Sequence, residues 1–189
     1  MTASTRSRLI AAAQEVIATD GWAAATTRRV AETAGVNPGL VHYHAGTIDD
    51  LRRDAMLEGI QGFFADSPLG APSAAPASLA STLSWVRALI DIDAQGTERE
   101  RLARLLQESL IVAGRDPVVR TRVGEILRNY RRALADGLAA RGVQDPVGTA
   151  GLIAVVVDGL LLQRMLDPDL DAEPILAGID ELVTARTVG

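Results

Sequence analysis

Apolar residues recur at helical spacing in almost every segment of this chain, and glycine and proline separate those segments. Near the N-terminus the apolar positions follow the three-and-four spacing of one helix face, and the pattern ends at Gly21. Hydrophobic residues make up 48% of the 189 residues, mostly Ala, Leu and Val, and aromatic residues only 3%. Ala and Leu favour helices, and no segment alternates as a strand does. The sequence therefore predicts an all-α fold.

Capping residues and helix breakers divide the chain into about nine predicted helices. Thr26 caps the second helix, Asn37 and Pro38 begin the third, and Thr47 with Asp50 forms a capping box before the fourth. Glycine and proline mark the later ends. The predicted helices cover residues 5–19, 28–34, 38–44, 48–65, 78–94, 98–113, 116–141, 146–166 and 172–187.

Composition excludes several kinds of chemistry. The chain has no Cys, so disulfides and thiolate metal sites are impossible. Its only imidazoles, His42 and His44, stand two positions apart and so point to different sides of a helix, where they cannot chelate one metal together. We find no Gly-rich phosphate loop and no paired-carboxylate motif. We therefore expect a protein that is not an enzyme, without catalytic residues, bound metal or cofactor.

Charge is distributed unevenly along the chain, whose net charge is −5. Residues 1–53 carry six arginines against five acidic residues, whereas residues 54–189 carry thirteen against nineteen. The weak basic footprint lies at the N-terminal end, and charge alone does not indicate a nucleic-acid-binding protein. The chain start lacks a signal-peptide pattern, and the apolar stretch 152–162 is shorter than the ~18 residues that span a bilayer. We expect a soluble, cytoplasmic protein without membrane contact.

Residues 21–51 carry the pattern of a helix-turn-helix motif. Gly35 stands between two short helices and permits a left-handed turn conformation there. Val30, Val36 and Val41 are spaced to form a small core between the helices. In such a motif the second helix enters the major groove N-terminus first. The third helix of the chain is therefore predicted to read DNA.

A set of residues in and around this motif matches a known family pattern: Gly21-Trp22, Thr26, Val30-Ala31, Ala34-Gly35-Val36, Gly39, Val41, His42 and His44. With these residues the segment resembles the DNA-binding domain of the TetR family of transcription regulators over about residues 5–55. It departs from that family's pattern at Ala45, where an aromatic residue is usual, and at Ile48, where a Lys usually touches a phosphate. The rest of the chain resembles the family in the order and length of its helices, and residues 154–166 resemble its BetI-like branch.

This resemblance implies a helix-turn-helix DNA-binding domain at residues 1–47 and a helical effector-binding and dimerisation domain at 48–189. It implies a ligand-responsive regulator, a repressor, that binds a palindromic operator of double-stranded DNA and is released by a small-molecule effector. The homodimer would form through residues 146–187, because the helix around 152–166 is apolar nearly all round. The central core helix of a monomer is the alternative for that segment.

Eleven residues are candidate DNA contacts. Leu40 and Tyr43 face away from the buried side of the third helix, and we expect them at base edges, whereas His42 and His44 would reach phosphates. Arg28 begins the second helix, where the chain would cross the sugar-phosphate backbone, although a solvated face is the alternative. The full set is Thr27, Arg28, Arg29, Asn37, Pro38, Gly39, Leu40, His42, Tyr43, His44 and Thr47, with Arg6 and Arg8 as further candidates for phosphates.

Bulky and polar side chains in the later helices are candidates for an effector cavity. Helical spacing places Glu108 near Leu105, which would point its carboxylate inward, or Glu108 pairs with Arg101 or Arg104 at the surface. Ordinary core packing is the alternative for the bulky residues. The candidate set is Met56, Phe63, Trp85, Leu89, Glu108, Ile111 and Tyr130.

Within regulation, an activator or a ligand-free regulator is the alternative to a ligand-responsive repressor. Two functions of other classes also stay open. A helical small-molecule-binding or adaptor protein with weakened DNA binding is consistent with Ala45, Ile48 and the negative net charge. A small helical enzyme or carrier would use the same cavity, but the chain lacks the residues that such catalysis requires. Salt-dependent binding to duplex DNA would separate a regulator from both alternatives.

Overall fold

A computed structural model of the chain describes residues 4–65 and 98–187. Within these ranges it forms eight α-helices, one short 3-10 helix at Trp22–Ala24 and no strand. The helix predicted at 78–94 lies outside the described residues. The α-helices are α1 (Thr5–Asp20), α2 (Thr27–Ala34), α3 (Gly39–Ala45), α4 (Ile48–Ala65), α5 (Glu98–Ala113), α6 (Pro117–Ala139), α7 (Pro146–Leu166) and α8 (Glu173–Ala185).

Local capping explains why the observed helices begin and end within two residues of the predicted ones. The Asp145 carboxylate accepts a hydrogen bond from Gly148 N at 3.0 Å and so begins α7. The cap of α3 differs slightly from the prediction, because the helix begins at Gly39 rather than Pro38. Asn37 nevertheless uses its side chain as expected, since its Oδ1 accepts from Gly39 N at 2.9 Å.

The chain divides into two compact units. Unit 1 comprises Met1–Phe63 and Ala94–Glu125, and unit 2 comprises Phe64–Asp93 and Ile126–Gly189. The division falls inside α4 and inside α6, so each of these helices contributes to both units. The domain boundary predicted between residues 47 and 48 lies within unit 1, at the junction of α3 and α4.

Unit 1 buries the apolar faces that helical spacing predicted. Leu9 and Ile17 of α1 are buried, as are Val30 of α2 and Val41 of α3, whereas Val36 in the turn is half-buried. The small core of the helix-turn-helix is therefore continuous with α1. Burial of these side chains is the main source of stability for the motif.

Polar side chains connect the helices of unit 1 at two points. Buried Gln14 on α1 donates through Nε2 to Ala55 O at 2.9 Å and accepts from Arg101 Nη1 at 2.9 Å. Arg53 on α4 donates to the Asp116 carboxylate at 2.8 Å, and the other oxygen of this carboxylate caps the start of α6. These contacts join α1, α4, α5 and α6 without leaving the buried polar groups unpaired.

Unit 2 contains an apolar helix with an exposed apolar stripe. Ile153 and other residues on one side of α7 are buried, but Val147, Val155, Leu162 and Leu166 on the other side are exposed. By length and composition alone, Pro146–Arg164 would be able to span a membrane, with a mean hydropathy of 1.6. The core helix of a soluble protein meets the same criterion of length and composition.

A groove of about 190 Å³ runs between α7 and α8. Apolar side chains and one glycine line it: Leu152, Ile153, Val156, Ile175, Gly178, Ile179 and Leu182. Beyond the end of α7, the Arg164 guanidinium donates to Pro168 O and, at 2.9 Å, to Leu170 O. Arg164 therefore satisfies carbonyls that follow α7.

Candidate nucleic-acid interface

The turn between α2 and α3 has the geometry that a helix-turn-helix requires. Gly35 adopts the left-handed conformation with φ 63° and ψ 42°. Val36 N donates to Ala31 O at 2.9 Å, and Gly35 N donates to Glu32 O at 3.1 Å. This pair of bonds is a Schellman motif, which satisfies the last carbonyls of α2 and sets the direction in which the chain leaves it.

Arg8 strengthens that turn from outside the motif. Its Nη2 donates to Ala34 O at 2.6 Å and to Gly35 O at 3.2 Å. Arg6 forms ion pairs with Asp54 at 2.7 Å and with Glu58 at 3.2 Å. Both guanidinium groups, expected as phosphate contacts, are thus engaged within unit 1.

Helix α3 presents one aromatic ring to solvent. Tyr43 is 82% exposed, whereas Val41 on the opposite side is fully buried. Leu40 is half-buried next to this exposed face, and Pro38 and Gly39 at the helix start are exposed. Leu40 and Tyr43 therefore lie away from the buried side of α3, and their contact with base edges stays a prediction.

The two histidines of α3 are held by neighbours. His42 Nδ1 lies 2.9 Å from Gly46 O, and because a carbonyl only accepts, the ring nitrogen is the donor. The His44 ring contacts Tyr43 edge-on, with ring centroids 4.9 Å apart. These contacts restrict the imidazole orientations and support the position of the Tyr43 ring.

The basic residues at the start of α2 differ in their partners. Arg29 forms an ion pair with Asp20 at 3.3 Å. Arg28 is exposed and has no ion pair or hydrogen bond within residues 4–65 and 98–187. Thr27, beside it, is half-buried. Among these candidates, Arg28 has the charge that is most available to a phosphate.

The capping box predicted at the start of α4 is confirmed. Thr47 Oγ1 donates to Asp50 Oδ2 at 2.6 Å and accepts from Asp50 N at 3.1 Å, and Thr47 N also donates to that carboxylate. The hydroxyl bond, followed by the backbone bond, lowers the pKa of Asp50. The Thr47 hydroxyl, a candidate DNA contact, is occupied by this cap.

Glu108 and Arg52 both form hydrogen bonds with the segment that leads into α2. The sequence did not predict these contacts. Glu108 Oε1 on α5 accepts from Trp22 N at 2.8 Å. Arg52 on α4 donates to Ala25 O at 2.9 Å and to Ala23 O at 3.3 Å, and its guanidinium lies 5.8 Å from the centroid of the Trp22 ring. We call Glu108, Arg52 and the segment Gly21–Ala25 between them the head clamp.

Four of the predicted effector residues lie in the described part of the chain, three in unit 1 and one in unit 2. In unit 1, Met56 is fully buried, Ile111 is 59% exposed, and the Glu108 carboxylate accepts from Trp22 N. Tyr130 is buried in unit 2. Trp85, Leu89 and the Phe63 side chain lie outside the described residues.

Comparison with known proteins gives a consistent result for both parts of the chain. Residues 9–55 match the bacterial regulatory proteins of the tetR family, and residues 77–187 match the tetracyclin repressor-like C-terminal domain. The second match alone covers more than half of the chain.

The chain belongs to the TetR family.

Solved structures of transcriptional regulators align along nearly the whole length of the chain. One from Streptomyces coelicolor A3(2) is 29% identical, with 95% of this chain and 98% of that chain covered and a TM-score of 0.69. One from Rhodococcus sp. Rha1 is 26% identical, with coverages of 97% and 96% and a TM-score of 0.77. The multidrug binding protein EbrR, in complex with malachite green, is 27% identical, with coverages of 97% and 98% and a TM-score of 0.66. None of the curated proteins compared with the chain matches it.

This TetR-family chain is thus a ligand-responsive, DNA-binding transcription regulator with an N-terminal helix-turn-helix and a helical C-terminal domain. Members of the family are repressors that typically bind palindromic operators as dimers, and they are generally not enzymes. They are soluble and typically cytoplasmic. Family membership gives the classes of partner, which are operator DNA and a small molecule.

Proposed function

We propose that this regulator reads its operator with α3 in the major groove and releases the DNA when an effector binds its later helices. The main support for the proposal is the exposed face of α3. Tyr43 projects from this face, while neighbouring residues fix the other sides of the helix. Val41 is buried, the turn before α3 is closed by the Schellman bonds, and Arg8 caps α2. A preorganised reading helix loses little freedom when it binds.

The contacts in this docking divide by role. Leu40 and Tyr43 reach base edges, where Leu40 can meet a thymine methyl group. Arg28 contacts a phosphate at the start of α2, and His42 and His44 contact the backbone beside α3. The phosphate contacts give affinity and register, while the base contacts give specificity.

The dimer forms through residues 146–187. The support is the exposed apolar stripe of α7, together with the apolar groove that α7 forms with α8. Contiguous exposed apolar surface of this kind is uncommon on a monomer and marks an interaction site. In a two-fold symmetric dimer the stripe contacts its own copy, and the two reading helices face half-sites related by the same symmetry.

Effector binding releases the DNA by favouring a conformation in which the two α3 helices no longer match successive major grooves. Such a shift requires that the effector bind one conformation more tightly than the other. The relative EbrR is a multidrug binding protein that binds malachite green, which supports a small organic molecule as the effector of this chain.

Selection from a pool of random duplexes tests the DNA-binding part of the proposal. The purified chain should enrich a palindrome whose half-sites are centred about 10 base pairs apart, because ~34–36 Å separates successive major-groove faces. Binding to the enriched duplex should weaken steeply with salt. If no duplex is enriched and binding at low salt is absent, the chain is a helical ligand-binding or adaptor protein instead.

A further inference from the structure

Tyr130 has an unpaired hydroxyl in the interior of unit 2. The residue is 8% exposed, and its phenolic oxygen is fully buried without a hydrogen-bond partner in the part of the chain that the structure describes. Other buried polar side chains are paired: Ser109 donates to Leu106 O, and Thr149 accepts from Arg186. An unpaired buried hydroxyl opposes folding, so its presence calls for a reason.

The surroundings of this hydroxyl make it a hydrogen-bond donor. Burial, followed by the negative charge of Asp158, raises the pKa of Tyr130 to about 12. The phenol therefore keeps its proton at neutral pH and lacks an acceptor. The half-buried Phe64 ring lies beside it, with centroids 5.1 Å apart and ring planes inclined by 50°. The Phe64 ring thus lies beside the ring that carries this donor.

Charge around Tyr130 disfavours an anion. Asp158 on α7 is exposed and has no ion pair within residues 4–65 and 98–187, and Arg131 offsets its charge only through space. Residues 126–187 carry nine acidic side chains against six arginines. An anionic molecule near the phenol would be repelled, whereas a neutral or cationic one would not.

We propose that Tyr130 and Phe64 form an effector subsite for a planar heteroaromatic molecule, neutral or cationic, that accepts a hydrogen bond from the Tyr130 hydroxyl. The molecule's ring packs against the aromatic side chains, and its ring nitrogen or carbonyl supplies the missing acceptor. The Asp158 charge disfavours anionic analogues. The proposal rests on the effector-responsive function proposed above and adds the chemical class of the effector.

Three small probes of similar shape test the subsite by calorimetry on the full chain at neutral pH. Quinoline carries an acceptor nitrogen, naphthalene lacks it, and 2-naphthoate adds a negative charge. Wild-type protein should bind quinoline about tenfold more tightly than naphthalene, since quinoline gains one hydrogen bond to a buried donor. It should bind 2-naphthoate most weakly of the three.

Tyr130→Phe should remove the preference for quinoline and leave naphthalene binding unchanged. Asp158→Asn should improve 2-naphthoate binding, with light scattering confirming that the oligomeric state is unchanged.

Thermal unfolding of the ligand-free protein supplies a second readout. Because Tyr130→Phe removes an unpaired hydroxyl and keeps the ring, its melting temperature should equal or exceed that of the wild type. A lower melting temperature would show that the hydroxyl has a structural partner and would overturn the subsite. So would an unchanged quinoline preference in Tyr130→Phe, or no binding of any probe up to its solubility limit.

An assay of release from operator DNA distinguishes failure of the Tyr130 subsite from failure of the effector-release model. If quinoline binds with the expected dependence on Tyr130 but leaves the operator complex intact, the subsite stands and the effector-release model is wrong. If other compounds release the operator equally well from wild type and Tyr130→Phe, effector release stands and the subsite is wrong.

Discussion

The residues of α3 differ in whether their side chains pack in the core or point into solvent. Val41 is fully buried and anchors the helix, whereas Tyr43 is 82% exposed and contacts only the neighbouring His44 ring among described aromatic side chains. A side chain that contributes so little to packing can be changed without loss of the fold. The consequences of changing Tyr43 should therefore appear in DNA binding rather than in stability.

Replacing Tyr43 with Ala should relax sequence specificity. On the selected operator the variant should lose ~1–3 kcal/mol of binding free energy, and much less on a scrambled duplex, because base-edge contacts exist only on the cognate site. Binding isotherms on both duplexes measure the difference, and Tyr43→Phe shows whether the hydroxyl or the ring is read. Equal losses on both duplexes would mean that Tyr43 contacts the backbone.

Replacing Arg28 with Ala should instead weaken binding to every duplex. Its charge has no partner in the described structure, so its loss removes one phosphate contact and lowers the salt slope by about one per subunit. Arg29→Ala is the matched control, because the Arg29 charge is already compensated by Asp20, and its slope should change less. An Arg29 effect as large as that of Arg28 would contradict this assignment.

At the scale of helices, the sequence predicts helix ends and caps correctly because their signals are local. Caps, glycines and prolines act within a few residues of the helix ends that they define, so Gly35 and the Thr47 capping box could be recognised directly. Contacts such as Arg8 on Ala34 O or Glu108 on Trp22 N join positions far apart in the chain. A carboxylate that accepts from a distant backbone N–H leaves no pattern in the sequence, so these roles required the structure.

Close approach of α4 to α5 predicts opposite effects for two glycines of α4. A Cβ at Gly59 would lie 2.7 Å from Leu105 Cδ1 and 3.3 Å from Gln14 Nε2, and Leu105 is fully buried and cannot move aside freely. Gly59→Ala should therefore lower the free energy of unfolding by ~1–3 kcal/mol. At Gly62 a Cβ meets nothing within 4 Å, so Gly62→Ala should raise it by up to ~1 kcal/mol. Denaturant titrations would contradict the proposed packing if both variants shifted in the same direction.

The head clamp predicts that a residue outside the DNA-binding motif affects operator binding. Glu108→Ala removes the acceptor of Trp22 N, so the free energy of unfolding should fall by about 1–2 kcal/mol and the start of α2 should become less well placed on the DNA. Glu108→Gln keeps an oxygen acceptor and should show a smaller loss. Gln107→Ala, one position earlier on α5, is the control and should leave operator affinity unchanged. If Glu108→Ala and Gln107→Ala gave the same operator affinity, Glu108 would have no positioning role.

At the scale of the whole molecule, membership of the TetR family explains a surface feature of the single chain. The structure shows an exposed apolar stripe on α7, and membership of the TetR family, whose regulators form dimers, supplies a reason for it. Periodicity alone could not decide between a dimer face and a monomer core, because an all-round apolar helix suits both. The exposure of Val155 and Leu162 in the described chain favours the dimer face.

A charge placed in the stripe should therefore separate the dimer without unfolding the chain. Val155 is 68% exposed, so Val155→Asp should be tolerated by one protomer but disfavoured in an interface, where two unpaired carboxylates would be buried near the symmetry axis. Light scattering at micromolar concentration should give the mass of one chain for this variant and of two for the wild type. The affinity for the operator should fall when the dimer separates, because one reading helix engages only one half-site.

Val118→Asp is the matched control. Val118 is an exposed valine outside unit 2, at 51%, and its variant should remain dimeric. A Val155→Asp variant that stays dimeric while Val118→Asp dissociates would place the interface on unit 1 instead of on α7.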